Sequence, residues 1–323
     1  MRTHKARLHA IESLANQILS FDFRPIDDER WPIATAGAHI DVHLPIGIVR
    51  SYSLVNEPGG SHRYVIAVNR EAFGQGGSRF MHDRLQVGDV LTVSEPRNNF
   101  TLREDASHTV LIAGGIGITP LWSMIQRLAQ LKASWTLYYS ARTRENASYV
   151  DQILSMATTS GGQVYLNFDG GDANRMLNIR AIIEATQSDA DVYCCGPFPL
   201  LRAFDAATAD REARLMHREY FAAPANATST ESAQDQRFNV RLARSNKIVP
   251  VGPGSTILDA LLNANIDVPH SCMSGICRAC ETKVLAGVPD HRDYVLSDSE
   301  RASGTTMIVC CSGAKSRELI LDL

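Results

Sequence analysis

The sequence lacks a run long and apolar enough to cross a membrane. Its longest weakly polar stretch, Thr109 to Trp122, is cut by three glycines and a proline. It falls short of the ~20 apolar residues a bilayer requires. The opening MRTHKARLHA is basic, but Glu12, Ser13, Asn16 and Gln17 interrupt the next ten residues, so no signal-peptide apolar segment forms. There is also no excess of charge of either sign. A formal net charge of -3 gives no whole-chain attraction to phosphate backbones or anionic lipid. Nucleic acid and membrane are therefore not expected partners, and a cytoplasmic location is expected. No recognisable spacing of two histidines and a carboxylate is present to build a non-haem iron site, so oxygen chemistry is not expected on this chain. Internal repeats are absent. With 44% hydrophobic and 21% charged residues over 323 positions, the chain can bury two or three domain cores.

Seven cysteines are present, and four of them form a pattern. The spacing Cys272-x4-Cys277-x2-Cys280, followed by Cys310, matches the plant-type ligand set of a 2Fe-2S cluster. Three soft sulfurs lie close together on a loop of small residues (Ser271, Ser274, Gly275, Ala279) that can wrap two irons. The fourth is expected to arrive from a strand over Met307–Cys311. Structural zinc, the competing explanation, usually pairs two short clips, whereas this chain offers one asymmetric triplet and a remote cysteine. The odd remainder, Cys194, Cys195 and Cys311, argues against a secreted disulfide framework.

Periodicity divides the chain into three segments. Short alternating runs at His39–Leu44, Val49–Leu54, Tyr64–Val68 and Val90–Val93, separated by Gly and Pro turns, predict an antiparallel β-barrel or sandwich. From Thr109 the pattern becomes apolar runs (Val110–Ala113, Thr136–Tyr139, Val164–Phe168, Val192–Cys195) alternating with helical periods (Pro120–Leu131, Pro199–Ala213). This predicts an α/β domain with a parallel sheet. The Ala-, Ser- and Thr-rich stretch at 224–236 reads as a linker. After it, a hairpin (Phe238–Leu242 into Lys247–Val251), a helix from Thr256 with Asp259 as its capping-box partner, and short terminal strands predict a small α+β domain. The expected domains are 1–104, 105–223 and 237–323.

Two motifs suit phosphates. Val110–Ala113 runs into Gly114-Gly115-Ile116-Gly117-Ile118-Thr119-Pro120, a glycine turn opening a helix, which would present backbone N–H groups to a pyrophosphate. Pro120 replaces the third glycine of the dinucleotide fingerprint and is expected to be the helix's first residue. Cys195-Gly196-Pro197 ends a later strand at the same sheet edge. Upstream, Gly76-Gly77-Ser78 before a helix-like Arg79–Leu85 is a second anion site, which Arg50 of Arg50-Ser51-Tyr52-Ser53-Leu54 can complete. His39, His43 and His82 are read as packing or surface residues.

In this order, together with Glu219-x-Phe221, these motifs make the chain resemble the phthalate dioxygenase reductase family over essentially its whole length. The resemblance implies an FMN-binding β-barrel, an NAD-binding α/β domain and a β-grasp-like plant-type ferredoxin domain. It implies that Arg50, Tyr52, Ser53, Leu54, Gly76, Gly77 and Ser78 hold FMN, with Arg50 and Ser78 at the phosphate and Tyr52 against the ring. Phe221 would cover the other flavin face. Gly115, Gly117, Thr119, Pro120, Cys195, Gly196 and Pro197 would seat the nicotinamide nucleotide, and Ser140 and Arg142 would face its adenosine ribose. Many relatives carry Gly after the second cluster cysteine and Arg near the last. Here Arg278 and Gly313 stand there, and Arg278 is open to two readings: a cation beside cluster sulfur, or a docking or solvated charge.

The resemblance implies an NADH-dependent electron-transfer oxidoreductase serving a separate Rieske-type oxygenase that attacks or demethylates aromatic substrates. A nicotinamide yields two electrons together and a 2Fe-2S cluster accepts one, so a flavin between them resolves the mismatch without a general base. A reductase for a cytochrome monooxygenase or a free ferredoxin, and a redox-sensing binding module, are the competing readings.

Overall fold

In the computed structural model, which describes residues 2–27, 30–60, 62–72, 76–222 and 237–323, the chain divides into two units, Met1–Glu219 and Tyr220–Leu323. The expected linker at 224–236 lies outside the described residues.

The first unit opens with strands that the periodicity reading missed, β1 (Thr3–Ala15) and β2 (Ile18–Pro25), which form a long antiparallel pair. The buried face of β1 shows His4, Ala6 and Leu8 between exposed Lys5, Arg7 and His9. Two small or polar residues out of three hide its alternation. Then come β3 (His39–His43), β4 (Val49–Ser53), β5 (Tyr64–Asn69), α1 (Gly77–Arg84) and β6 (Val90–Ser94). The six strands form one antiparallel sheet in the order β4-β3-β6-β1-β2-β5. Among the described residues its edge strands meet at a Leu54–Ile66 bridge and a hydrogen bond from Val55 N–H to the Val65 carbonyl. Phe21, Phe23, Ile40, Tyr64 and Ile66 fill the interior. Fully buried Asp41 accepts two 2.9 Å bonds from Arg97 and one of 2.7 Å from Ser51, which secures β4 from behind.

The remainder of this unit is a five-stranded parallel sheet: β7 (Thr109–Gly114), α2 (Ile118–Leu131), β8 (Trp135–Ala141), α3 (Val150–Ser160), β9 (Gln163–Phe168), α4 (Ile179–Ala185), β10 (Asp191–Cys195), α5 (Phe198–Ala207) and β11 (Met216–Glu219). The order is β11-β10-β7-β8-β9. The chain steps outward from β7 to β9, then returns to β7's other side for β10. The crevice beyond the carboxyl ends of β7 and β10 is therefore a topological switch point. Helix α2 begins two residues before the expected Pro120. Proline is still tolerated there, because an N–H in the first turn has no intrahelical acceptor. Helices α3, which buries Val150, Ile153 and Ala157, and α4, which buries Ile179, Ile182 and Ile183, were not read from the sequence.

The second unit holds β12 (Phe238–Leu242), β13 (Ile248–Val251), α6 (Ile257–Asn263), β14 (Glu281–Ala286), β15 (Pro289–Asp290), α7 (Asp298–Ser303), β16 (Thr306–Ile308), β17 (Gly313–Ala314) and β18 (Glu318–Leu321). A mixed sheet runs β13-β12-β18-β14-β16, with β12 and β18 parallel in its middle. The Thr256–Asp259 capping box forms in both directions. Ile257, Leu258 and Leu261 of α6 are fully buried in this unit's core.

Candidate functional site

Alternation along β4 sends Ser51 to Asp41 and leaves Arg50 and Tyr52 on the other face. Arg50 lies directly over the start of α1: a β-carbon on Gly77 would stand 2.9 Å from the Arg50 Cγ. Gly76, at φ +90°, turns the chain into the helix. The guanidinium and a helix amino terminus thus share one corner, as anion binding needs. The Ser78 hydroxyl oxygen accepts the Glu71 N–H at 3.0 Å, which ties the preceding loop to the same corner. Burial pushes the Tyr52 phenol up to about 12, so it stays neutral. Leu54 is a core residue, and its N–H donates to the Ala38 carbonyl.

At the switch point two loops touch backbone to backbone. A β-carbon on Gly117 would stand 2.2 Å from the Cys195 carbonyl oxygen, and one on Gly196 would stand 3.0 Å from the Gly114 Cα. Pro197 closes over Gly114 at 2.7 Å by the same measure. Gly115, at φ +53°, has open space where a side chain would be. The Thr119 hydroxyl is buried and donates to the Ile116 carbonyl at 2.9 Å, so its part is to brace the turn. The Ser140 hydroxyl donates to Asp169 at 3.1 Å and accepts from Asn167. A cavity of about 470 Å³ opens beside these loops, lined by Gly115, Ile116, Arg142 and Asn146 on one side and by Gln17 and Arg70 of the antiparallel part on the other.

Glu219 joins the two halves of this unit. It ends β11, in register with Cys195 of β10, and its carboxyl is hydrogen-bonded to Ser53 of β4. Its Oε2 is buried with no hydrogen-bond partner. Burial raises its pKa to about 8, so a neutral acid stands where the end of β4 meets the carboxyl end of β11. The Cys195 side chain is itself wholly buried and its thiol is pushed up by burial. Phe221 belongs to the second unit and is 41% exposed.

In the second unit, Cys272, Cys277 and Cys280 lie on the loop between α6 and β14, which contains left-handed residues Met273, Gly275 and Arg278. The Cys272 sulfur is hydrogen-bonded with those of both Cys277 and Cys310. Cys310 does not sit on a strand as expected. β16 ends at Ile308, where N–H groups of Cys311 and Ser312 both return to the Ile308 carbonyl and curl the chain. Val309 N–H reaches the Cys280 carbonyl, bringing that turn to the loop. Among the described residues no three His, Cys, Asp or Glu side chains are grouped as a single ion would need. Two bridged irons instead spread four thiolates over two centres.

Residues 111–206 match the oxidoreductase NAD-binding domain family and residues 240–315 the 2Fe-2S iron-sulfur cluster binding domain family. The chain is 51% identical over 318 residues to phenoxybenzoate dioxygenase subunit beta of Ectopseudomonas oleovorans, covering 98% of this chain and 96% of that one. The solved structure of phthalate dioxygenase reductase, described as modular for electron transfer from pyridine nucleotides to 2Fe-2S, superposes with a TM-score of 0.71 at 37% identity, covering 99% and 98%. The chain belongs to the phthalate dioxygenase reductase family. An intact type IV self-sufficient cytochrome P450 monooxygenase also contains this architecture: TM-score 0.89 at 36% identity, covering 99% of this chain and 41% of that one.

Membership of the phthalate dioxygenase reductase family makes the chain an oxidoreductase with an NAD-binding and a 2Fe-2S-binding domain. It also sharpens the two departures. Arg278 adopts φ +57°, a conformation that suits glycine, and its guanidinium is held by Glu300, Glu281 and the Val295 carbonyl. Arg278 in turn depresses the Glu300 carboxyl to about 2. Its charge is therefore matched by two acids, one of them on α7. The room beside Gly313 is taken by Arg292, whose NH2 would stand 3.2 Å from a β-carbon there. Glu219 received no role from sequence reasoning. Its place in the Glu219-x-Phe221 motif was the signal that could have found it.

Proposed function

We propose that this chain carries electrons from NADH through FMN and a 2Fe-2S cluster to a separate Rieske-type oxygenase acting on aromatic substrates. The observation that supports it most is the Ser53–Glu219 bond, which joins the end of β4, the strand that carries Arg50 and Tyr52, to the end of β11 beside Cys195 in a chain that also carries a 2Fe-2S domain. Bound flavin would supply the exchange between hydride and single electrons. Arg50 and the N–H groups of Gly76, Gly77 and Ser78 would neutralise its phosphate, and Tyr52 would pack against its ring as a neutral phenol. Ser53 and Leu54 would continue that wall, with Phe221 on the other face. Protonated Glu219 would offer an O–H donor toward the ring without bringing a buried negative charge. Gly115, Gly117, Thr119, Pro120, Gly196 and Pro197 would admit the coenzyme's backbone, Cys195 would stand at the nicotinamide, and Ser140 and Arg142 would face the ribose. Cys272, Cys277, Cys280 and Cys310 would hold the irons.

Purified protein should bleach its visible absorption on adding NADH, release FMN rather than FAD in acid, and pass electrons to a purified Rieske oxygenase. A larger kcat/KM with NADPH would overturn the coenzyme assignment. The likeness to the self-sufficient cytochrome supports a second acceptor, a haem monooxygenase. Faster reduction of such a cytochrome than of any Rieske oxygenase would favour it.

A further inference from the structure

The three clustered cysteines and Cys310 stand on separate stretches of the second unit, and the chain between them is fastened to both. On the side of Cys310, β15 pairs with β17 so that Asp290 lies opposite Gly313, and the Arg292 N–H donates to the Ser312 hydroxyl at 3.2 Å. On the side of the cysteine loop, the Tyr294 N–H donates to the Gly275 carbonyl at 3.0 Å, and the Val295 carbonyl accepts from the Arg278 guanidinium at 3.0 Å. Residues 290–300 thus form a strap that reaches both halves of the cysteine set. The strap is itself well held. Buried Asp293 accepts the N–H groups of Val295 and Leu296 at 3.1 and 2.8 Å, and Arg301 donates to the Asp293 carbonyl at 2.6 Å. Leu296 is anchored in the apolar core, and Ser297 and Glu300 close the capping box that starts α7.

Loop and strap lock at Arg278. It lies between Cys277 and Cys280 in left-handed backbone, φ +57°, which glycine adopts without steric cost. A larger residue persists there when its surroundings hold it. Here the planar guanidinium is gripped by Glu300 of α7, by the Val295 carbonyl and, at 3.5 Å, by Glu281 at the start of β14. Any movement of this backbone would carry the sulfurs on either side of it.

We propose that Arg278 is a positioning residue that latches the cysteine loop to the strap and so holds the sulfurs of Cys277 and Cys280 where they retain the irons. The proposal rests on reading those cysteines as ligands. The guanidinium makes no bond to iron in this role. It acts through the loop backbone, and Glu300 acts through it. Groups that orient metal ligands in this way govern how firmly the metal is kept and tune its electronic state.

The test uses the full chain with its cluster. R278G suits the local backbone and removes the latch, so it should load iron and sulfide in full. It should then lose iron to a chelator about tenfold faster than the parent, and the electron paramagnetic resonance signature of its reduced cluster should change. In E300Q the glutamine still completes the capping box, so α7 is kept while the ion pair is lost, and iron release should quicken in the same direction. Combining the two changes should release iron no faster than R278G alone, because one latch cannot be opened twice. Parent-like release and spectrum in both single variants would overturn the positioning role, as would fully additive effects. Should R278G take up no iron, E300Q alone decides, and parent-like behaviour there would overturn it. C277S separates the two ideas. If C277S lacks iron while R278G and E300Q match the parent, the ligand reading stands and the latch falls; if C277S keeps full iron, both fall.

Discussion

At the scale of single residues, the site depends on side chains held in unusual states by their surroundings. Glu219 is the clearest. Its ordinary value of 4.5 is raised to about 8 by burial, so the folded protein keeps a proton that the unfolded chain releases. The folded state therefore binds more protons between these values, and stability is lost as pH rises from about 4.5 through about 8. Glu219→Gln removes this slope. In thermal melts the variant should gain on the parent as pH is raised from 5 to 8, and an unchanging difference would contradict the buried neutral acid. Cys277→Ser should lose the cluster, measured as iron and sulfide, while NADH still reduces the flavin. Full iron content would refute the ligand assignment. Arg278 shows how a residue-level departure can be compensated: a left-handed non-glycine residue is tolerated because two carboxylates and a carbonyl hold its far end.

Among elements, the switch-point loops set the tolerances. A methyl group at position 117 has only 2.2 Å to the Cys195 carbonyl, so Gly117→Ala must push the β7 and β10 loops apart. Overpacking of this kind costs about 1–3 kcal/mol. It should raise KM for NADH about tenfold, read by steady-state kinetics with an artificial acceptor. Thr256→Ala removes the hydroxyl that accepts the Asp259 N–H, leaving only the backbone N–H of residue 256 to donate to Asp259, and should cost the second unit about 1 kcal/mol by denaturant titration. These two elements were legible in the sequence because their chemistry is local: a glycine turn after an apolar run, a Thr three residues before an Asp. β7, β8 and β10 were legible too, since nearly every residue is covered and their apolar runs are unbroken, whereas the edge strand β11, Met216-His217-Arg218-Glu219, has no apolar run and was missed. β1 was not legible, because its covered face is built partly from His4 and Ala6, and neither were α3 and α4. The turn at Cys310 was read as strand because Met307, Ile308 and Val309 continue the apolar run. Backbone bonding to the Ile308 carbonyl ends β16, and side-chain identity does not report it. The Ser53–Glu219 contact joins residues far apart in the chain and is visible only in three dimensions.

On the scale of the whole molecule, each unit has its own apolar core, so the two should unfold as separate calorimetric transitions. Cys277→Ser should lower only the transition of the second unit, and a single merged transition would contradict this. Among the described residues no helix is long and apolar enough to cross a membrane. The order of the second sheet has one more consequence. β18, last of its strands to be synthesised, lies between β12 and β14 in the middle of the ladder. During translation the cysteine loop is made before residues 318–321 supply that central rung, so nascent thiols wait for the strand that joins β12 to β14. A stop codon at position 318 would leave β12 and β14 without the neighbour that knits them together.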